Sequence, residues 1–78
     1  MNNLALFESV ASPDEFRMLA HAADTSAQYL RNLARGYVKR AVSVRLALRV
    51  EKVSKSMRAK NRKLPVVSCQ DLADLAEG

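Results

Sequence analysis

The chain has few of the residues on which secreted and membrane proteins depend. Its 78 residues include one cysteine, two glycines, two prolines and no tryptophan. A single cysteine cannot form an internal disulfide, whereas a small secreted domain commonly needs several. No apolar run reaches membrane-spanning length, and no segment resembles a signal peptide. The sequence therefore predicts one small cytoplasmic domain that does not span a membrane.

Motifs of catalytic and metal sites are also missing. His21, the only histidine, has no acid or cysteine at a metal-ligand spacing, so we expect a surface residue. Cys69 has no histidine near it in the sequence, and we expect it to have a structural role. The chain has no glycine-rich phosphate loop or nucleophile motif. A domain of this length also has little room for an enzyme cleft. We expect no enzymatic activity, no cofactor and no metal.

Acidic residues are nearly absent from the middle of the chain. All but one of the 13 lysines and arginines lie between Arg31 and Lys63, where Glu51 is the only acid, and the net charge is +5. Such a concentration of positive charge favours a polyanionic partner. The alternative is a solvated helical surface.

Helix start and stop signals predict five helices. They are residues 4–10, 13–23, 26–35, a long helix from residue 43, and a last short helix capped by residues 68–71. Asn3 is the expected cap of the first helix. Ser12 is the expected cap of the second, with Pro13 tolerated at its first position and Glu15 completing a capping box. Gly36 is expected to end the third helix.

Residues 16–36 have the pattern of two short amphipathic helices joined by a tight turn. Their apolar residues recur at spacings of three, four and seven, at Leu19, Ala23, Leu30 and Leu33. We expect Thr25 to cap the second of these helices, with Gln28 reaching back to complete a capping box. This pattern is typical of a helix-turn-helix, for which double-stranded DNA is the first partner to consider.

Two runs of the sequence, residues 19–36 (LAHAADTSAQYLRNLARG) and 43–51 (SVRLALRVE), carry a family resemblance. The chain resembles the Cro/repressor-type (XRE) helix-turn-helix of phages and prophages, including its YdaS-like branch, over roughly residues 4–54. Members usually have Gly in the turn, where this chain has Asp24, a residue that tolerates left-handed backbone. Members often have Pro where this chain has Val42. The resemblance implies an all-α, lambda-repressor-like domain that binds a palindromic operator as a homodimer and represses transcription.

The second helix of such a motif enters the major groove with its N-terminal end first. The resemblance assigns base contacts to Ser26, Ala27, Gln28, Arg31 and Asn32. Gln and Asn can pair with adenine, Arg with guanine, and the Ala methyl can touch that of thymine. Phosphate contacts are expected from Arg17, Arg35, Tyr37, Lys39, Arg40, Ser43 and Arg45. For Gln28 the alternative is a capping role only, and for Tyr37 it is packing under the loop.

Residues 55–63 have no close counterpart in the family, and the resemblance reaches residues 68–75 only weakly. We therefore divide the sequence into a helix-turn-helix domain, residues 1–54, and a basic extension with a C-terminal dimerisation segment, residues 55–78. The basic run of residues 55–63 either extends the fourth helix or forms a linker before Pro65, and either contacts DNA or is merely solvated. Val66 and Val67 can form a short strand. The expected dimer interface consists of Leu64, Val66, Val67, Leu72 and Leu75.

Two other functions are compatible with the same sequence. The chain can be the antitoxin of a toxin–antitoxin operon, in which the C-terminal segment holds the toxin. It can also be a phage protein that binds and inhibits a host protein on a helix-turn-helix scaffold. Failure to bind DNA at low salt would favour the second alternative.

Overall fold

The chain folds into five α-helices. The structure is a computed structural model that describes residues 2–37 and 42–77, with backbone only for 74–77. The helices are α1 (Asn3–Val10), α2 (Pro13–Ala22), α3 (Ala27–Ala34), α4 (Val44–Lys60) and α5 (Cys69–Glu77). No strand occurs in these two ranges. The predicted all-α class and the five helices are confirmed.

Side-chain caps fix the starts of the first four helices. The Ser12 hydroxyl accepts from the Glu15 amide while the Glu15 carboxylate accepts from the Ser12 amide, which confirms the predicted capping box. Ser43 caps α4 as expected. Two predicted caps are wrong by one residue: Asn2, not Asn3, caps α1, and Ser26, not Thr25, caps α3. Asn2 and Asn3 are equally suitable caps, and so are Thr25 and Ser26. The sequence pattern does not choose between the two members of either pair.

The turn between α2 and α3 depends on a left-handed residue. Asp24 has a φ of 61°. As expected, Asp adopts here the left-handed backbone that Gly usually adopts in similar turns. The Thr25 amide donates to the Ala20 carbonyl at 2.9 Å and closes the turn. Gly36, with a φ of 79°, ends α3 as predicted. These two residues set the length and direction of α3.

All five helices contribute to one core. Its fully or nearly fully buried residues are Leu4, Phe7, Phe16, Leu19, Ala20, Ala23, Leu30, Leu33, Ala47, Val50, Met57, Leu64, Val67 and Leu72. Leu19 and Ala23, with Leu30 and Leu33 of α3, face this core, as their spacing predicts. The predicted α4 stripe is also confirmed, with Val50 and Met57 buried and Leu46 and Val53 packed at its edge.

The C-terminal segment is part of this core. Helix α4 runs without a break across the boundary predicted at residue 54 and ends at Lys60. Leu64, Val67 and Leu72 are at most 1% exposed. These three side chains therefore face their own core and not a second copy, and dimerisation through the rest of this segment stays a prediction. The side chain of Leu75 lies outside the described residues.

The predicted strand at residues 66–67 is also wrong. The Val67 amide donates to the hydroxyl of Ser54, a fully buried serine of α4, at 2.9 Å. The Ser54 hydroxyl in turn donates to the Glu51 carbonyl at 2.9 Å. A side chain of α4 thus satisfies the backbone group that a neighbouring strand would otherwise take. The side-chain amide of Asn3 donates to the Val66 carbonyl at 3.0 Å.

Candidate nucleic-acid interface

Two amide side chains define the outer face of α3. Gln28 is exposed and Asn32 is half-buried, one helical turn further along. The Gln28 Nε2 donates to the Asn32 Oδ1 at 3.0 Å. This bond leaves Gln28 Oε1 as an acceptor and Asn32 Nδ2 as a donor for a further partner. The predicted capping box of Gln28 is not formed, because Ser26 begins the helix and Gln28 is its second residue.

The first residues of α3 have narrower roles. The hydroxyl of exposed Ser26 accepts from the Tyr29 amide at 3.0 Å, so one of its two lone pairs is used in the cap while its O–H can still donate. Ala27 is half-buried and packs at the edge of the core. Both residues stand at the helix N-terminus, where backbone amides and the helix dipole favour a phosphate.

Arg31 lies at the junction between α3 and α1. Its guanidinium carbon is 5.7 Å from the centroid of the Phe16 ring, a cation–π distance. Its Nε is 3.6 Å from Oε1 of Glu8, and the Nη2 of Arg35 is 3.2 Å from the same oxygen. One carboxylate of α1 therefore holds two arginines of the α3 region. Arg31 must leave Glu8 before its Nε can pair with a base.

The remaining predicted phosphate-contacting residues divide into three groups. Arg45 is exposed, and exposed Arg17 pairs with Asp14 on the same turn of α2. Tyr37 is 71% exposed, so its alternative role, packing under the loop, is wrong. Ser43 caps α4 with its hydroxyl. The predictions for Lys39 and Arg40 lie outside the described residues.

The basic run extends α4 by about two turns and then forms a turn of its own. Lys55, Arg58, Lys60, Arg62 and Lys63 are all exposed, and none forms a salt bridge with a residue whose side chain is described. Asp71 does not neutralise them, because its carboxylate accepts from the amide and hydroxyl of Ser68 at the start of α5. No described side chain therefore neutralises this basic surface.

Glu51, the only acid in the basic stretch, is turned towards α5. Its carboxylate accepts from the Cys69 amide at 3.4 Å and lies 3.8 Å from the Cys69 sulfur. Burial raises the pKa of the Cys69 thiol, and the Glu51 charge raises it further. The thiol is therefore protonated at neutral pH, which agrees with the structural role expected for Cys69. His21 is exposed, as expected.

The sequence does not indicate that Glu8 and Phe16 position Arg31. Glu8 and Arg35 are 27 residues apart, and no local spacing rule connects residues so far apart. Among the residues described, no group of three His, Cys, Asp or Glu side chains is arranged to hold a metal ion. Within the same ranges, no helix has both the length and the apolar character to cross a membrane.

Comparison with known proteins adds no relative. No family model, no curated protein and no solved structure matches the chain.

Proposed function

We propose that the chain is a sequence-specific DNA-binding transcriptional regulator, a Cro-like repressor of a phage or prophage that acts in the cytoplasm. The observation that carries the proposal is the pair Gln28 and Asn32 on the outer face of α3, the second helix of a helix-turn-helix pattern. Beyond their mutual hydrogen bond, the pair keeps Gln28 Oε1 as an acceptor and the Asn32 Nδ2 group as a donor. The major-groove edge of adenine presents the complementary N6 donor and N7 acceptor.

The charges around α3 support the same proposal. Basic side chains flank the helix at Arg17, Arg35 and Arg45, and α4 adds a further exposed basic run. Lysines and arginines that surround a polar helix face can hold the phosphates on either side of the groove while the helix contacts base edges. The excess of positive charge also accelerates encounter with a duplex.

Repression would follow from occlusion. Two copies bound to a palindrome would insert their α3 helices into successive major grooves about one helical turn apart. An operator that overlaps a promoter would then be closed to polymerase. Since Leu64, Val67 and Leu72 lie in the core of their own chain, the two copies would meet through other residues or through the DNA itself.

A selection of bound sequences from a random DNA pool tests the proposal. The full chain is incubated with the pool at low and at moderate salt. The retained DNA is sequenced after several rounds. We expect an enriched inverted repeat with adenines at the positions that face α3. Binding to all sequences alike, or no retention of DNA even at low salt, would contradict the proposal.

A variant with Gln28→Ala and Asn32→Ala provides the control in the same selection. It keeps the basic surface and the Ser26 cap, so it should still retain DNA at low salt. It should no longer enrich the motif. If the variant enriches the same motif as the parent, other residues contact the bases.

A further inference from the structure

A groove between α2 and α4 uses none of the residues assigned to DNA. Its volume is about 520 Å³, and its apolar lining comes from Met18, Ala22, Val53 and Met57. A smaller hollow of about 190 Å³ shares Met18 and Met57 with it and extends the apolar lining to Leu64. The two together form a continuous apolar track along the α2–α4 seam, which we call the α2–α4 groove.

Met18 is a groove residue that is exposed to solvent and not buried in the core. It is 58% exposed, although the other large apolar residues of α2, Phe16 and Leu19, are at most 2% exposed. A single exposed apolar side chain is ordinary. Here, however, Met18 stands over a concavity that already contains Val53 and Met57. Methionine side chains are flexible and adapt to apolar partners of different shape.

The rim of the groove is positively charged. Lys52 and Lys60 lie on it, and neither forms a salt bridge with a residue whose side chain is described. Glu15, the acid at the end of the smaller hollow, is occupied by the Ser12 amide at 2.8 Å and by the Asn61 amide group at 3.0 Å. The rim therefore carries two lysines against one acid, Glu15, and has a net positive charge beside an apolar floor.

We propose that the α2–α4 groove binds an acidic amphipathic helix of a partner protein. The stretch of α4 from Arg49 to Lys60 lines the groove, and at 1.5 Å per residue it extends about 16 Å. That length matches about three turns of a partner helix. Apolar residues of the partner at i, i+4 and i+7 would lie over Met18 and Met57, and its carboxylates would pair with Lys52 and Lys60.

Other occupants fit these observations less well. Duplex DNA presents phosphates, which match the rim but leave the apolar floor without a partner. A second copy of the chain has an acidic helix in α5, but the Leu72 of that helix is fully buried in its own core and cannot enter the groove. The proposal does not depend on DNA binding, since the groove contains none of the residues assigned to base or phosphate contacts, and only Lys60 belongs both to its rim and to the basic run of α4.

The test is a selection of displayed random peptides on the immobilised full chain. Peptides of about 16 residues are long enough for three to four helical turns. We expect the enriched peptides to carry apolar residues at helical spacing and an excess of Asp and Glu. Absence of enrichment, or enrichment of peptides without acids or without that spacing, would overturn the proposal.

Two matched pairs of variants locate the binding site of an enriched peptide. Reversing the rim with Lys52→Glu and Lys60→Glu should weaken binding about tenfold or more. Lys55→Glu with Arg58→Glu makes the same change in charge on α4 outside the groove and should weaken it far less. In the same way, Met18→Gln should weaken binding about tenfold. Leu48→Gln, at a residue that is 54% exposed on α4 away from the groove, should not.

The remaining outcomes decide between this proposal and others, and separate it from the proposed function. Equal losses in both members of a pair would show that the peptide binds elsewhere or responds only to net charge. If a short DNA duplex, and no peptide, shifts the methyl resonances of Met18 and Met57, the groove belongs to a nucleic-acid surface. If the peptide binds as proposed but the DNA selection fails, the groove proposal stands and the proposed function fails.

Discussion

Helix α2 borders two surfaces of opposite character. On one side it leads through the Asp24 turn to α3, whose outer face carries the amides of Gln28 and Asn32. On the other side it forms the α2–α4 groove, where Met18 and Met57 face an open apolar space. The first surface can discriminate among hydrogen-bonding partners. The second can only bury apolar area and attract acids at its rim.

The comparison shows how a small domain separates two kinds of recognition. Both surfaces are made by residues at the outside of one core, and α2 supplies buried Phe16 and Leu19 to that core between them. A change in the core should therefore affect both surfaces together. A change on either surface should leave the other intact.

The largest effect should come from removing the C-terminal segment. Truncation after Lys63 deletes Leu64, Val67 and Leu72, all essentially fully buried. Each buried side chain of this size contributes about 1.5–3 kcal/mol, and a small domain has only about 5–15 kcal/mol in total. We expect the truncated chain to be largely unfolded by circular dichroism and to lose both surfaces at once. A folded truncated chain that still binds DNA would show that the two surfaces do not need the C-terminal segment.

A smaller effect should separate the two surfaces. Asn32→Ala removes one amide of the α3 pair and should weaken the selected DNA site by about 1–3 kcal/mol, with much less change on random DNA. Peptide binding in the groove should not change. Ser56→Ala, at an exposed residue that lines the groove, serves as the control and should leave DNA binding unchanged. Equal losses on selected and random DNA would remove Asn32 from the base-contacting residues.

A still smaller effect, of opposite sign, is expected at Glu8. Glu8→Gln releases Arg31 and Arg35 from their shared carboxylate, so DNA affinity should rise, by up to about 1 kcal/mol for pairs this exposed. Glu15→Gln removes the same charge at a residue that forms no salt bridge among the described side chains and is not assigned to DNA. The excess gain of Glu8→Gln over this control isolates the two arginines. Equal gains in both variants would show a general effect of net charge.

The smallest effect concerns the cap that starts α2. The Ser12 amide and, next, the Asn61 side chain donate hydrogen bonds that lower the pKa of Glu15 below its ordinary value of 4.5. A lowered pKa in the folded state means that the contribution to stability is present above the unfolded pKa and is lost as the pH falls through the folded one. The melting temperature of the parent should therefore approach that of Glu15→Gln below about pH 4.5. A constant difference from neutral to acid pH would contradict this assignment.

Local signals predicted most of the helix framework. Ser12, Ser43 and Gly36 act within one turn of themselves, and each has the role that its own sequence context indicates. The same rules shifted the starts of α1 and α3 by one residue, because Asn2 and Asn3, like Thr25 and Ser26, offer competing caps side by side. The two candidates in each pair are equivalent in their local chemistry, so contacts elsewhere in the fold select the residue that caps the helix.

Long-range contacts were not predictable in the same way. The sequence identified Leu64, Val67 and Leu72 as residues that must be buried, but apolar character does not distinguish a chain's own core from a partner's. The hydrogen bonds from Val67 to Ser54 and from Cys69 to Glu51 show that the segment folds back onto α4. Likewise, the positions of Arg31 and of the α2–α4 groove depend on Glu8, Phe16 and Met18, whose neighbours are distant in sequence.

The ion pair between Arg49 and Asp24 limits how far the two surfaces can influence each other. Arg49 lines the groove, Asp24 forms the turn that directs α3, and their side chains meet at 3.5 Å. An acidic partner that captures Arg49 would free Asp24, and by thermodynamic reciprocity DNA would then change the affinity for that partner by the same factor. The two side chains are 46% and 86% exposed, so the pair contributes no more than about 1 kcal/mol. Coupling through this contact is therefore limited to about fivefold, a gradual adjustment of occupancy and not an on–off control.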